Sequence, residues 1–202
     1  MSIPSYREIW VEDFEYYQPD GERPSPHCWA GLELLSGRRD RLWITPGVTP
    51  PPFAVTPDVL AIAFQAQAEA GSRLALGWPV PQYLDLHIEY RVLTNGTPRP
   101  GGDGLLAACL AHRIPTGDAA EKDAGRALAM RPVVPVEDRA ALLDYCARDV
   151  DKLAALARAM WPDLDLPRAI LRGEYQIAAA GMGSPRLADR PGHARPVSRP
   201  LG

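Results

Sequence analysis

Apolar residues in the first 45 positions recur in short β-rich runs separated by turn formers. "REIWVEDFEYY", "HCWAGLELL" and "RLWITP" carry the aromatic and branched side chains, while "QPDGERPSP" and "SGRRD" hold the Gly, Pro and Asp that reverse a chain. This pattern predicts three strands joined as antiparallel hairpins. "GVTPPPF" is too rich in proline for a helix or a central strand and reads as a stiff connector.

The pattern changes at residue 57. "DVLAIAF" is a continuous apolar run, which predicts a strand buried on both faces. "QAQAEAGSRLALG" has helix-forming composition, softly broken at Gly71 and ended at Gly77. "QYLDLHIEY" reads as a strand running into a helix, and "GDGLLAACLAHRI" and "DAAEKDAGRALAMR" as two short helices either side of the Pro115–Gly117 turn. The clearest helix is "VEDRAALLDYCARDVDKLAALARAMW", acidic in its first turn and stopped by Pro162. Its apolar stripe runs through Leu142, Cys146, Val150, Leu153, Leu156 and Met160. A hairpin triplet followed by alternating strand and helix predicts a mixed α/β sheet. Periodicity vanishes in residues 183–202, where seven residues are Gly or Pro and four are Arg. That stretch reads as a disordered or loosely attached tail behind a folded domain of residues 1–182.

Composition narrows the function classes. A chain of 202 residues, 46% apolar and 23% charged, suits one globular domain with a sizeable core. Its net charge of −3 supplies no positive field to grip duplex by phosphate neutralisation alone. Bound divalent cations, however, cancel acidic side chains locally. Cys28, Cys109 and Cys146 lie far apart with no CxxC spacing, which argues against a zinc site or disulfide framework and suits a reducing compartment. With no leader and no run of membrane-spanning length, the expectation is a cytoplasmic protein without a membrane partner. Lys122 and Lys152 are the lysines in an arginine-dominated chain, a coding bias without functional content.

The candidate chemistry lies in two motifs. Asp13 and Glu15 are two apart on a strand and therefore share a face. Tyr145 and Asp149 are four apart, one turn above each other, and Asp149 borders the buried stripe. A carboxylate there is costly unless paired or metal-bound, whereas Asp144 and Asp151 fall on the solvated side. Either motif alone is commonly a surface carboxylate or an i,i+4 contact. Together they offer hard oxygen ligands that suit Mg²⁺ or Mn²⁺, and no His/Cys cluster competes. Two such ions would activate a water and stabilise the leaving oxygen of a phosphodiester. Phe14, Tyr16 and Tyr17 beside the first motif read as sheet aromatics or as platforms for a splayed base. His87, within an apolar run, reads as a core residue.

In this order and setting the motifs resemble the 3′–5′ proofreading exonuclease domain of family A (polymerase I type) DNA polymerases, the branch with a tyrosine in its third motif. The first motif, D-x-E, matches Asp13 and Glu15; the third, Y-x-x-x-D, matches Tyr145 and Asp149. The resemblance spans residues 7–182 and includes "LPRAILRGEYQIAAAGM", similar to the segment leading into the polymerase part. The second motif departs. Where the family has Asn, three residues, then Asp, this chain has Gln65 and Glu69, with Asp85 in "YLDLHIEY" as the alternative ligand.

The resemblance implies a ribonuclease H-like α/β fold, three antiparallel strands followed by parallel strands alternating with helices. It also implies hydrolysis with two Mg²⁺ or Mn²⁺ ions at the 3′ end of single-stranded or frayed DNA. Asp13 would bridge the ions, Glu15 and Asp149 would complete the site, Glu69 would add a weaker contact, and Tyr145 would hold the attacking water. The palm, fingers and thumb of a polymerase are absent, which suggests a truncated or frameshifted gene, or a free-standing exonuclease; a polymerase partner is not identifiable. Two further readings stand open: a non-catalytic nucleic-acid-binding domain of the same fold, and a ribonuclease D-type 3′–5′ exoribonuclease acting on RNA.

Overall fold

A mixed sheet in the order β3-β2-β1-β4-β5 forms the centre of the computed structural model, which describes residues 6–51, 53–95, 97, 101–116 and 119–182. The tail expected for residues 183–202 lies outside the described residues. β1 (Glu8–Tyr17), β2 (Ser25–Glu33) and β3 (Arg39–Trp43) make the antiparallel triplet that the turn-separated runs predict. β4 (Val59–Ala63) and β5 (Gln82–Asp85) then add parallel to β1. All five residues of β4 are buried, as an apolar run covered on both faces requires.

The register creates the notch in which the site lies. β4 pairs with β1 from Glu8↔Val59 to Val11↔Ile62 and stops at Ala63. Beyond Val11, no strand among the described residues lies beside that edge of β1.

Helices cover both faces of the sheet. α1 (Ala66–Leu76) follows β4 and runs unbroken through Gly71, against the expectation of a soft break there. One glycine in a helix costs only about 1 kcal/mol, which packing overrides. Ala66 and Ala70 sit against Ala61 and Ala63 of β4 and Ala180 of α6 (Leu166–Met182), and Gly77 ends α1 in the left-handed conformation. Gly173 brings α6 onto the β5 backbone: a Cβ there would lie 1.8 Å from the Tyr83 carbonyl oxygen.

On the other face α5 (Arg139–Met160) buries its whole stripe, Leu142 to Met160, against Val11, Cys28, Ala30, Leu60 and Ile62. α2 (Leu86–Leu93), α3 (Leu105–Ala111) and α4 (Ala119–Ala129) contribute Tyr90, Cys109 and Ala129 to that same core. The acidic residues Glu137 and Asp138 form a separate 3-10 turn before α5, and Pro162 sits in a second such turn after it. Asp144 and Asp151 are exposed as expected, and they pair across to Arg41 and Arg39 of β3 at 2.5 and 2.6 Å. Among the described residues no helix is long and apolar enough to cross a membrane.

Candidate active site

Alternation along β1 sends Asp13 and Glu15 toward α5, and Glu12 and Phe14 toward α1. The Asp13 and Glu15 carboxyls hydrogen-bond one another. A bulge between Glu15 and Tyr16 breaks the β1–β2 register just past them, a common device for re-aiming side chains beside a site. From α5 the Cys146 thiol donates to the Asp13 backbone carbonyl at 3.3 Å. One ligand atom from each of Asp13, Glu15 and Cys146 falls within 4.8 Å of the others. Cys28 faces Glu15 across the β1–β2 ladder and hydrogen-bonds with Cys146, so two cysteines remote in sequence meet as free thiols beneath the carboxylates.

Asp149 and Tyr145 arrive one turn apart on α5, and their side chains hydrogen-bond each other. Asp149 Oδ1 also accepts from Lys152 Nζ at 2.7 Å, both side chains mostly buried. Glu69 comes from α1 and is 3% exposed. It accepts the Phe14 backbone N–H, at the β1 edge that β4 leaves uncovered, and its Oε2 has no hydrogen-bond partner among the described residues.

The electrostatics follow from crowding acids out of water. Burial first, then the Asp149 charge, pushes Asp13 up to about 8. Burial and the neighbouring Asp13 push Glu15 up to about 10. Glu69 is raised well above the carboxylate range by burial, then by Asp13, Glu12 and Glu15. Tyr16 is pushed up to about 12 by burial and then by Glu69, Asp13 and Glu15. Tyr145 is raised by burial and then by Asp149 and Glu15. Mutual influence among these groups shows that Asp13, Glu15, Glu69, Asp149 and Tyr145 share one electrostatic neighbourhood.

A divalent cation fits that neighbourhood. The donors are chiefly carboxylate oxygens, the ligands hard cations take, and a buried acceptor of Glu69 is unspent. A local positive charge would oppose both the burial and the like-charge repulsion that raise these values. Cys146 and Cys28, the soft donors near the pair, were not among the site residues expected from sequence.

Asp85 does other work. Its Oδ1 accepts the backbone N–H groups of His87 (2.9 Å), Ile88 (3.3 Å) and Gln65 (3.1 Å), and its Oδ2 accepts that of Ala66 (2.9 Å). Both oxygens therefore cap the N-termini of α1 and α2, and they hold Gln65 at a left-handed φ of 76°. Of the two second-motif candidates, Glu69 lies where the Asp13 and Glu15 charges act on it, though outside the close group of Asp13, Glu15 and Cys146, and Asp85 stays in the cap.

A cleft of about 450 Å³ opens beside Asp85, lined among others by Tyr16, Arg23, Gln65, Gln67, His87 and Gln176, while Asp13, Glu15, Glu69 and Asp149 do not line it. His87 is thus no core residue: its ring lies against Phe64 and reaches Asp103 at 3.4 Å. Phe14 is buried against Trp78 and offers no face to a base, whereas Tyr16 borders the cleft.

A second polar cluster escapes the sequence patterns. Glu12, fully buried, accepts from Arg73 Nε (3.0 Å) and Nη2 (2.5 Å), from Trp29 Nε1 (2.7 Å) and from the Tyr83 hydroxyl. The available signal was a charge inside each apolar run, Glu12 in "IWVED" and Arg73 in "GSRLALG".

No family model matches the chain, and no curated protein does. Solved structures are similar in fold. One described as the apo form of a nuclease aligns with a TM-score of 0.64 at 17% identity, over 88% of this chain and 84% of that one. Brucella melitensis NrnC with bound Mg²⁺ aligns at 0.58 and 14% identity over 88% and 86%, and the same protein bound to pGG at 0.58 and 17% over the same shares. Escherichia coli RNase D, described as an exoribonuclease involved in structured RNA processing, aligns at 0.59 and 14% identity over 85% of this chain and 44% of that one. The chain therefore has the ribonuclease H-like α/β fold that these nucleases share.

Proposed function

We propose that this protein is a divalent-metal-dependent 3′–5′ exonuclease. The observation that carries the reading is the close Asp13–Glu15 pair of β1, on which the charges of Asp149 from α5 and Glu69 from α1 also bear, with one buried Glu69 oxygen unpartnered among the described residues. Asp13, Glu15, Glu69 and Asp149 would hold Mg²⁺ or Mn²⁺, and two ions suit that number of acids. Bound there, the metal supplies Lewis acidity toward a phosphodiester oxygen and lowers the pKa of a water.

The chain's own groups do the rest. Tyr145, oriented by Asp149, positions the attacking water through its hydroxyl; a phenol raised above its ordinary value is too weakly ionised to act as general base at neutral pH. The polar cleft beside Tyr16 and Gln65 receives the strand leading to the scissile bond, with amides and Arg23 to meet phosphate and base edges.

Two substrate readings rest on different support. The D-x-E and Y-x-x-x-D resemblance to a proofreading domain favours DNA 3′ ends. The likeness to NrnC bound to pGG and to RNase D favours short or structured RNA. Both polymers present the same phosphodiester to the carboxylates. Incubating 5′-labelled single-stranded DNA, the matching RNA, and pGG with the purified chain tests the reading and sorts the polymers. With Mg²⁺, ladders shortening from the 3′ end are expected; with EDTA, or with Asp13→Asn, none. Intact oligonucleotides of both kinds beside a folded wild-type protein, or undiminished cleavage by Asp13→Asn, would overturn it. Metal-independent binding without turnover would leave a nucleic-acid-binding module of the same fold.

A further inference from the structure

Glu12 and Arg73 lie on the face of β1 opposite Asp13 and Glu15, and neither points at the space between the four acids. Their pairing is nevertheless costly to build. Glu12 is 0% exposed and Arg73 2%, and desolvating both ions cancels most of the attraction between them. Stability alone is a poor reason for such a pair. Geometry supplies a better one.

We propose that the buried Glu12–Arg73 pair is a positioning device that sets the roll of α1 and so aims Glu69 at the Asp13–Glu15 pair. The inference rests on the nuclease reading above and adds a residue pair to it.

Glu69 and Arg73 are four apart and share one face of α1. Four residues of helix advance about 6 Å. Two residues of strand advance about 6.6 Å. α1 returns antiparallel to β1, so Arg73 meets Glu12 while Glu69 meets the Phe14 backbone N–H two residues further along. The two docking points match in spacing and in direction. Together with the packing of Ala66 and Ala70 on β4 and α6, they fix the roll of α1.

Arg73 is fixed at both ends of its guanidinium. Nε and Nη2 take the two Glu12 oxygens, Nη1 donates to the Pro79 carbonyl at 3.2 Å, and the group lies 4.8 Å from the centre of the Phe53 ring. Tyr83 and Trp29 donate to the remaining Glu12 acceptors and hold that carboxylate still. A forked, rigid contact of this kind resists rotation in a way that an apolar contact does not. Lysine at position 73 would keep the charge and lose the fork.

A double-variant cycle on the full chain tests this. Mn²⁺ is titrated calorimetrically into EDTA-stripped wild type, Arg73→Lys, Glu69→Gln and the double variant, and kcat and KM are measured for the oligonucleotide that the wild type cleaves. Arg73→Lys is expected to weaken Mn²⁺ several-fold and lower kcat on the order of tenfold to a hundredfold, with KM little moved. In the Glu69→Gln background the same change should do nothing further, because there is no longer a ligand to aim. Glu12→Gln, run through the same cycle, covers the case in which Arg73→Lys does not fold. Wild-type affinity and kcat in the folded variant, or equal losses in both backgrounds, would overturn the positioning role. A wild type that neither takes up Mn²⁺ nor cleaves would overturn the nuclease reading itself, a distinguishable result.

Discussion

Replacing Asp13 with Asn should make the metal-free protein more stable at pH 7.5 while removing its activity. In the folded, metal-free chain Asp13 titrates at about 8, against an ordinary 3.8. Between those two pH values the folded state holds a proton that the unfolded state has released. Stability therefore falls as pH rises, by up to about 1.4 kcal/mol per pH unit for one group. From pH 5 to 7.5 that amounts to roughly 3 kcal/mol, which the amide does not lose. Removing Asp13 also eases Glu15, whose raised value has the Asp13 charge among its causes, so the second effect has the same sign. For a chain of this length 1 kcal/mol moves Tm by roughly 2–4 °C, giving about 6–12 °C. The assay is thermal unfolding of both proteins in EDTA at pH 5 and pH 7.5. The two should melt closely together at pH 5, and the variant should melt higher at pH 7.5. Added Mn²⁺ should raise the wild type alone. A Tm difference that ignores pH, or a variant that melts lower at pH 7.5, would refute the reasoning.

Further expectations concern residues away from that pair. Asp85→Ala strands four backbone N–H groups and should cost several kcal/mol, at about 1–3 kcal/mol for each donor left buried and unpaired. Calorimetry at low temperature, where the variant stays folded, should still give Mn²⁺ affinity near wild type; loss of binding there would return Asp85 to the ligand set. Gly173→Ala drives a Cβ to 1.8 Å from the Tyr83 carbonyl and should cost about 3 kcal/mol or more in denaturant melts, whereas Gly181→Ala, with nothing within 4 Å, should be near neutral. Lys152→Met frees Asp149 from the ammonium that competes with a cation for it, so Mn²⁺ should bind several-fold more tightly by calorimetry. Unchanged or weaker binding would mean that Lys152 does not oppose the metal.

Much of the fold was readable because its signals are local. The three turn-separated runs became β1 to β3, the apolar run became the fully buried β4, and the stripe from Leu142 to Met160 became the buried face of α5. The carboxylate motifs were readable for a related reason, since strand and helix periods fix which neighbours share a face. The misread residues depend on contacts between distant segments. His87 looked like core from its apolar neighbours, but the end of β5 sets it at a cleft mouth. Asp85 stood in the sequence as the alternative to Glu69, and its capping role shows only once β4 and β5, pairing in parallel, put it under the start of α1. Cys28 and Cys146 are 118 positions apart (146 − 28) and meet because α5 crosses β2. Glu12 carries no periodic signal that separates a buried ion pair from a solvated acid, and it took Arg73, 61 positions away, to show which it is.

An anomalous difference map from crystals soaked in Mn²⁺ tests most directly whether the acids from β1, α1 and α5 hold metal together. Density among the carboxylates of Asp13, Glu15, Glu69 and Asp149, with at least the first two as direct ligands, is the expected result. A map in which these side chains keep their metal-free contacts and the strongest manganese lies elsewhere would contradict it.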